Sequence, residues 1–113
     1  MQEPTYWILT ALVGGRRHGY AILQETAVLS DDRVRLKVTT LYAALERLER
    51  EGLVAVDGEE TVDGRRRRYV VLTERGAAAL ADEAGRLAAD AHRATARLQR
   101  HGWSGDPAAR ASA

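Results

Sequence analysis

The chain has 113 residues, a length typical of one domain, and its lack of cysteine excludes disulfides, thiolate metal sites and cysteine nucleophiles. Its 17 Lys and Arg are balanced by 16 Asp and Glu, so the net charge of +1 does not by itself indicate nucleic-acid binding. The apolar run at residues 7–13 is too short to span a bilayer and lacks the basic flank of a signal peptide. These features predict a cytoplasmic globular protein.

Two short helices are predicted at the start of the chain. Pro4 suits a first helical turn, and the apolar residues that follow have helical spacing until a glycine pair at 14–15 interrupts them. The second helix is predicted over residues 20–29, YAILQETAVL, and ends at Ser30.

The segment RVRLKV, residues 33–38, alternates apolar and basic side chains, which predicts a short, half-buried strand. Arg35 and Lys37 lie on its basic face. These two side chains either bind phosphates or are exposed to solvent without a binding role.

A third helix has the strongest pattern in the chain. Thr39 is a possible cap, and Gly52 supplies a C-terminal stop. The apolar residues recur at i, i+3, i+4 and i+7, as in one face of a helix that packs on a core: Leu41, Ala44, Leu45 and Leu48.

Residues 53–72 predict a β-hairpin that contains four consecutive arginines. The pair Asp63-Gly64 is a strong signal for a type I′ turn, although Asp57-Gly58 offers an alternative turn that would shift the register. Counting outward from Asp63-Gly64, glutamates oppose two of the arginines: Glu60 faces Arg67 and Glu59 faces Arg68. Arg65 and Arg66 face no carboxylate.

The two unopposed arginines have two possible explanations. Guanidinium groups at a protruding hairpin tip suit a minor groove or phosphates. A charge run on an edge strand also prevents aggregation without any ligand.

The last helix is predicted from Thr73, a possible cap, to His101, about 42 Å at 1.5 Å per residue. Its small and apolar residues repeat in alternating steps of three and four, the pattern of a heptad seam. We therefore expect a second copy of the chain to pair with this seam and with Trp7 of the first helix, the alternative being a helix folded back on its own domain. The seam comprises Leu80, Ala84, Leu87, Ala91, Ala94 and Leu98, preceded by Ala77.

The predicted fold is mainly α with a small β-hairpin, in the order of a winged helix-turn-helix domain followed by a long helix. Residues 1–72 form the predicted winged domain, residues 73–101 the dimerisation helix and residues 102–113 a flexible tail.

In a helix-turn-helix, the second helix lies in the DNA major groove with its N-terminal residues nearest the bases. This geometry makes the start of the third helix, the preceding basic segment and the hairpin tip the candidate DNA contacts. The residues are Arg35, Lys37, Thr39, Thr40, Tyr42, Arg47, Arg65 and Arg66. A plain helix cap is the alternative role for Thr39, and partial packing on the wing is the alternative for Tyr42.

Two motifs, TTLYAALERLEREGLV and DGRRRRYVVLTERGAAAL, together with HGYAIL at the second helix, resemble the PadR family of bacterial transcriptional regulators. The resemblance extends from about Trp7 to Leu98 and is closest to the small subfamily with a single C-terminal helix. It implies a homodimeric repressor that a small-molecule effector releases from its operator. Many members carry proline or glycine near the positions of Ala43 and Thr40, and a second aromatic at that of Val70.

The sequence offers one candidate contact for an effector. Some family members use an aromatic-lined space beside the dimer helices, and Trp7 is the candidate contact here, although ordinary interface packing explains it as well. Trp103 falls in the predicted tail.

An enzyme is excluded because no metal-ligand spacing, nucleophile context or phosphate loop is present, and no cofactor is expected. The alternative function is a winged-helix adaptor for another protein, which the balanced charge and the glutamates of the third helix favour.

Overall fold

A computed structural model of the protein describes residues 1–104. Three strands form an antiparallel sheet in the order β1 (Arg17–His18), β3 (Arg65–Leu72) and β2 (Val54–Val62). The predicted fold class is confirmed, with helices, a small sheet and a long C-terminal helix. In chain order, the elements are α1 (Glu3–Ala11), β1 (Arg17–His18), α2 (Gly19–Leu29), α3 (Val38–Arg50), β2 (Val54–Val62), β3 (Arg65–Leu72) and α4 (Glu74–Arg100).

The chain divides into two compact units, and the first spans Met1–Ala81. Its core is built around the apolar stripe of α3, because Leu41, Leu45 and Leu48 are all buried. Ala44, the fourth residue of the predicted stripe, is half-buried against the same cluster. The stripe packs on residues of α1, α2 and the sheet, namely Ile8, Leu9, Leu12, Ile22, Val54 and Val70.

The ends of α3 differ in how well the sequence predicted them. At the C-terminal end, Gly52 adopts φ 77°, and the amides of Gly52 and Leu53 donate to the carbonyls of Glu49 and Leu48. This is the Schellman arrangement, so the predicted glycine stop is confirmed. At the other end the helix begins at Val38, and no side chain caps it. The prediction that Thr39 caps α3 is therefore wrong.

The predicted strand over residues 33–38 is wrong. Val34 is buried and Leu36 half-buried, as the alternation indicated, but the segment has no regular structure before α3 begins. A strand needs a neighbour, and the edge of β3 that is not paired with β2 is occupied by Arg17 and His18. The Val34 amide donates instead to the Ser30 hydroxyl at 3.0 Å.

The hairpin has the predicted register. Asp63 and Gly64 have φ values of 52° and 75°, as a type I′ turn requires, and Glu60 pairs with Arg67 and Glu59 with Arg68. The competing Asp57-Gly58 pair forms a β-bulge, because the register shifts between Val56 and Glu59.

The helix α4 is continuous over 27 residues. The Thr73 hydroxyl accepts a hydrogen bond from the Gly76 amide at 3.0 Å, so the predicted cap is confirmed. At its C-terminal end, Gly102 adopts φ 81° and the Trp103 amide donates to the Leu98 carbonyl at 2.8 Å. The remainder of the predicted tail, residues 105–113, lies outside the described residues.

Within residues 1–104, none of the helices combines the length and apolarity that crossing a membrane requires.

Gly76 allows α4 to start against the backbone of Leu53, which lies between α3 and β2. A Cβ placed on Gly76 would lie 2.0 Å from the Leu53 carbonyl oxygen, a rigid backbone atom, so Gly76→Ala should destabilise the protein by about 1 to 3 kcal/mol. Gly85→Ala is the matched control, because a Cβ placed on Gly85 would have no neighbour within 4 Å and alanine favours helices by up to about 1 kcal/mol. Urea unfolding followed by circular dichroism measures both, and equal effects would contradict the close packing at Gly76.

Candidate nucleic-acid interface

The outward face of α3 lies opposite its buried stripe. Thr39, Ala43, Glu46 and Arg50 follow one another along this face at steps of three and four, and all four are exposed. Lys37 and Thr40 are exposed at the N-terminal end of the helix, where the backbone amides of the first turn carry the positive end of the helix dipole.

Tyr42 lies beside the start of α2. A Cβ placed on Gly19 would lie 2.8 Å from the Tyr42 hydroxyl oxygen. The ring can therefore occupy this position only because residue 19 has no side chain. Tyr42 is nevertheless 54% exposed, which leaves one side of the ring open to solvent.

Arg47 has a structural role that the sequence analysis missed. Its guanidinium donates to the buried hydroxyl of Thr5 on α1 at 2.9 Å. The group predicted to contact DNA is thus held against the first helix, and Arg50, one turn further on, is the arginine of the outward face.

The two basic residues before α3 differ from each other. Arg35 forms an exposed ion pair with Asp32 at 3.0 Å. Lys37 has no ion pair among residues 1–104, which makes its ammonium group the more available of the two.

The four arginines of the wing, defined as residues 59–68 of the hairpin, lie on two faces. Because side chains alternate along a strand, Arg66 and Arg68 share a face with the buried Val70, while Arg65 and Arg67 share the opposite face with Tyr69.

The ion pairs of the wing differ from those predicted. Glu59 contacts both Arg66, at 3.5 Å, and Arg68, at 3.9 Å. The prediction that Arg66 has no carboxylate partner is therefore wrong, because a carboxylate reaches the diagonal neighbour as well as the residue opposite.

Arg67 also departs from the prediction. The carboxylate of Glu60, which lies opposite Arg67, accepts a hydrogen bond from the Tyr69 hydroxyl at 2.9 Å. Within the described part of the chain, Arg65 and Arg67 are the wing arginines without an ion pair.

An open groove of about 620 Å³ separates α3 from the sheet. Its floor is apolar and includes Leu45, Val54 and Val70, and its rim is charged. The charged residues are Glu46, Glu49 and Arg50 from α3 and Arg68 from β3. Arg68 was not predicted to line this groove, although its two-residue spacing from the apolar Val70 indicates that the two side chains share a face.

Trp7 lies half-buried on α1 with its polar group already satisfied. Its indole nitrogen donates to a Glu3 carboxylate oxygen at 3.2 Å, and its ring meets that of Tyr6 edge to face at 5.0 Å. The hydrogen bonds from Trp7 and Arg33 hold the pKa of Glu3 below its ordinary value.

The predicted seam on α4 is covered only at its start. Leu80 packs against the core of the first unit. Further along, Leu87 and Leu98 are each 42% exposed, and Ala91 and Ala94 between them are exposed as well.

A charged row runs beside the seam. Arg86 contacts Glu83 at 2.8 Å and Asp90 at 3.1 Å, and Asp90 also pairs with Arg93. The hydrogen bond from Arg86 lowers the pKa of Glu83. Among the described residues, the face of α4 that carries Leu87 and Leu98 is therefore apolar and exposed, with an ionic row next to it.

Helices α2 and α3, the wing and the groove between them define a winged helix-turn-helix protein. A family model of the PadR-like transcriptional regulators matches residues 8–82, well over half of the chain. The protein therefore belongs to the PadR-like family and is a transcriptional regulator. Because proteins of this family are regulators, the prediction that the chain is not an enzyme is confirmed.

Three relatives illustrate the similarity. A curated but uncharacterized protein from Lysinibacillus sphaericus is 32% identical over 75 residues, 66% of this chain and 69% of that protein. A transcriptional regulator from Clostridium thermocellum is 29% identical with a TM-score of 0.67, covering 81% of this chain and 86% of that one. PadR of Bacillus subtilis, solved with operator DNA, shares the fold with a TM-score of 0.61 and 24% identity, over 69% of this chain and 44% of that one.

The contact between Arg47 and Thr5 predicts that these residues stabilise the fold. Arg47→Ala should lower the free energy of unfolding by about 1 kcal/mol or more, since it leaves the buried Thr5 hydroxyl without its partner. Arg50→Ala, on the exposed outward face, should change it by less than about 0.5 kcal/mol. Chemical denaturation compares the two variants, and the double variant Thr5→Val with Arg47→Ala should recover part of the loss. Equal effects of Arg47→Ala and Arg50→Ala would contradict the assignment.

Proposed function

We propose that the protein is a homodimeric repressor that binds an operator in double-stranded DNA. The observation that carries this proposal is the wing, where Arg65 and Arg67 have no ion pair among the described residues and project from an exposed hairpin. Guanidinium groups without an ion pair, near the end of a hairpin that can enter a minor groove, are able to bind phosphates and the groove walls.

The outward face of α3 supports the same function. In a helix-turn-helix complex the second helix enters the major groove. Here the outward face carries Thr39, Ala43, Glu46 and Arg50, and the small side chains of Thr39 and Ala43 allow close approach. Lys37, Thr40 and Tyr42 lie near its N-terminal end, where phosphates are favoured by the helix dipole. The proposed DNA contacts at α3 are therefore Lys37, Thr39, Thr40, Tyr42 and Arg50. Arg35 can contact DNA only when its ion pair with Asp32 is broken.

The groove between α3 and the wing has a place in this arrangement. In such a complex α3 lies in a major groove of the DNA and the wing in the adjacent minor groove. The sugar-phosphate strand that separates these two DNA grooves must then cross the protein groove between α3 and the sheet. Arg50 and Arg68 on its rim attract that strand, whereas Glu46 and Glu49 repel phosphate and accept hydrogen bonds from cytosine amino groups. This mixture limits attraction to DNA of arbitrary sequence.

The same glutamates favour a second candidate, an adaptor that binds another protein through the groove. Salt dependence separates the two functions. If about eight phosphates are contacted per dimer, affinity for duplex DNA falls on the order of 10³- to 10⁵-fold between 50 and 200 mM salt. An adaptor binds every DNA fragment weakly.

Dimerisation is proposed to use the uncovered seam of α4, including Ala84, Leu87, Ala91, Ala94 and Leu98. A second copy supplies the apolar partner that this surface lacks, and a two-fold axis allows two α3 helices to read successive major grooves about 34 Å apart. Trp7 on α1 is a further candidate contact. Leu80 contributes less, since it already packs on its own core.

The proposal includes release by a small-molecule effector and action in the cytoplasm, where operator DNA is accessible. Trp7 is the candidate effector contact. Its indole N–H is occupied by Glu3, so a ligand would meet the ring and not the nitrogen.

DNA binding is tested with Arg65→Ala/Arg67→Ala. The probe is duplex DNA from immediately upstream of the protein's own coding region, measured by fluorescence anisotropy over a range of salt concentrations. We expect roughly tenfold or greater loss of affinity, and a salt slope reduced by up to about four per dimer, because four guanidinium groups are removed. The melting temperature should change little, since neither side chain has an ion pair within residues 1–104.

The matched control is Arg93→Ala/Arg100→Ala, which makes the same change of charge on α4 and should retain most of the affinity. Loss of thermal stability with unchanged DNA affinity in Arg65→Ala/Arg67→Ala would show that the wing arginines are structural. A wild-type protein that binds no DNA fragment with salt dependence would favour the adaptor.

The seam predicts that the protein is a dimer and that a single charged residue introduced into the seam dissociates it. Leu87→Asp places a carboxylate in the centre of the paired apolar surface, where burial without a partner is costly. Analytical ultracentrifugation at micromolar concentration should find a dimer for the wild type and a monomer for Leu87→Asp, with Ala88→Asp, on the neighbouring position outside the seam, less affected. A monomeric wild-type protein would refute the pairing.

A further inference from the structure

Arg16 joins the base of the wing to the loop before β1. Its guanidinium lies 4.3 Å from the centroid of the Tyr69 ring, in cation–π geometry. The same group donates from Nη1 to the Asp57 carbonyl oxygen at 3.1 Å. One side chain thus contacts both strands of the hairpin, β2 through Asp57 and β3 through Tyr69.

The contact on β2 falls on the β-bulge. Gly58 adopts φ 96°, and a Cβ there would lie 3.2 Å from Arg16 Nη1, so a glycine at this position serves both the backbone conformation and the approach of the guanidinium. The pairing register shifts here, between Val56 and Glu59.

The bulge also marks where the core ends. Val56 pairs with the buried Val70 just below it, whereas above it every residue is exposed except the half-buried Val62. The wing therefore has no core contact of its own. Its direction depends on the strands at its base, where the bulge increases local twist and the Arg16 contacts are made.

Tyr69 is itself fixed on two further sides. Its hydroxyl donates to Glu60 at 2.9 Å, and the His18 ring meets it edge-on with centroids 5.8 Å apart. The face that Arg16 covers is thus part of an ordered surface, and the guanidinium of this exposed residue contacts a ring and a carbonyl on that surface.

We propose that Arg16 is a positioning residue for DNA binding: it clamps the bulge and Tyr69 and so sets the direction in which the wing presents Arg65 and Arg67. The effect of Arg16 on DNA binding rests on the proposed function, whereas its contacts with the bulge and Tyr69 are a property of the free protein. A planar guanidinium is required, because it stacks on the ring and donates to the carbonyl at the same time, which an ammonium group does less well.

The test compares Arg16→Lys, which keeps the charge, with Arg16→Ala. If Arg16 positions the wing, both variants bind the upstream DNA roughly three- to tenfold more weakly than the wild type, and the salt slope for Arg16→Lys is unchanged. If Arg16 instead contacts a phosphate, Arg16→Lys binds like the wild type and only Arg16→Ala shows a smaller slope, which overturns the proposal.

A second measurement does not depend on DNA. Hydrogen exchange of the free protein should be faster in the wing of Arg16→Lys than in the wild type, with exchange in α2 and α3 unchanged. Tyr69→Phe is the matched control, since it keeps the stacked ring, and it should leave the Arg16-dependent protection in place. Unchanged exchange in Arg16→Lys would overturn the clamp. Faster exchange without DNA binding by the wild type would support the clamp and reject the proposed function.

Discussion

The hydroxyl of Thr73 connects the ends of three elements, and the arrangement of the first unit depends on it. It donates to the Gly52 carbonyl at 2.7 Å, just beyond α3, and accepts from the Gly76 amide at the first turn of α4. The Thr73 amide donates to the Leu53 carbonyl at 3.1 Å. Because α3, the end of β3 and the start of α4 meet through one residue, the outward face of α3 and the hairpin are held in a fixed relation.

Local patterns in the sequence predicted much of this frame. The stripe on α3, the glycine stop at Gly52, the cap at Thr73 and the Asp63-Gly64 turn each depend on neighbours within a few residues, and each is confirmed. The hairpin register followed from its turn, because a two-residue turn fixes every pair beyond it.

Features that depend on distant residues were not predictable in the same way. The segment before α3 has the alternation of a strand, but whether it pairs is decided by Arg17 and His18, which occupy the edge of β3. Arg47 has the sequence surroundings of an exposed residue and is drawn to Thr5, 42 positions away. The candidate site was therefore predicted in its location, on α3 and the wing, and only partly in its residues.

The sharing of Glu59 by two arginines has the same origin. One carboxylate can contact both its opposite and its diagonal neighbour, and the pairing register alone does not specify which contacts form. As a result, the arginines without an ion pair lie on one face of the wing, with Tyr69, and not side by side at its tip.

The strict alternation above the bulge constrains how this hairpin can change in length. Adding two residues to each strand would extend its reach while keeping each arginine on its present side. Inserting one residue into β3 would exchange the sides, so that guanidinium groups now bound to Glu59 would point away from the groove. Related regulators that differ in wing length should therefore differ by an even number of residues in each strand if they use the same side of the hairpin.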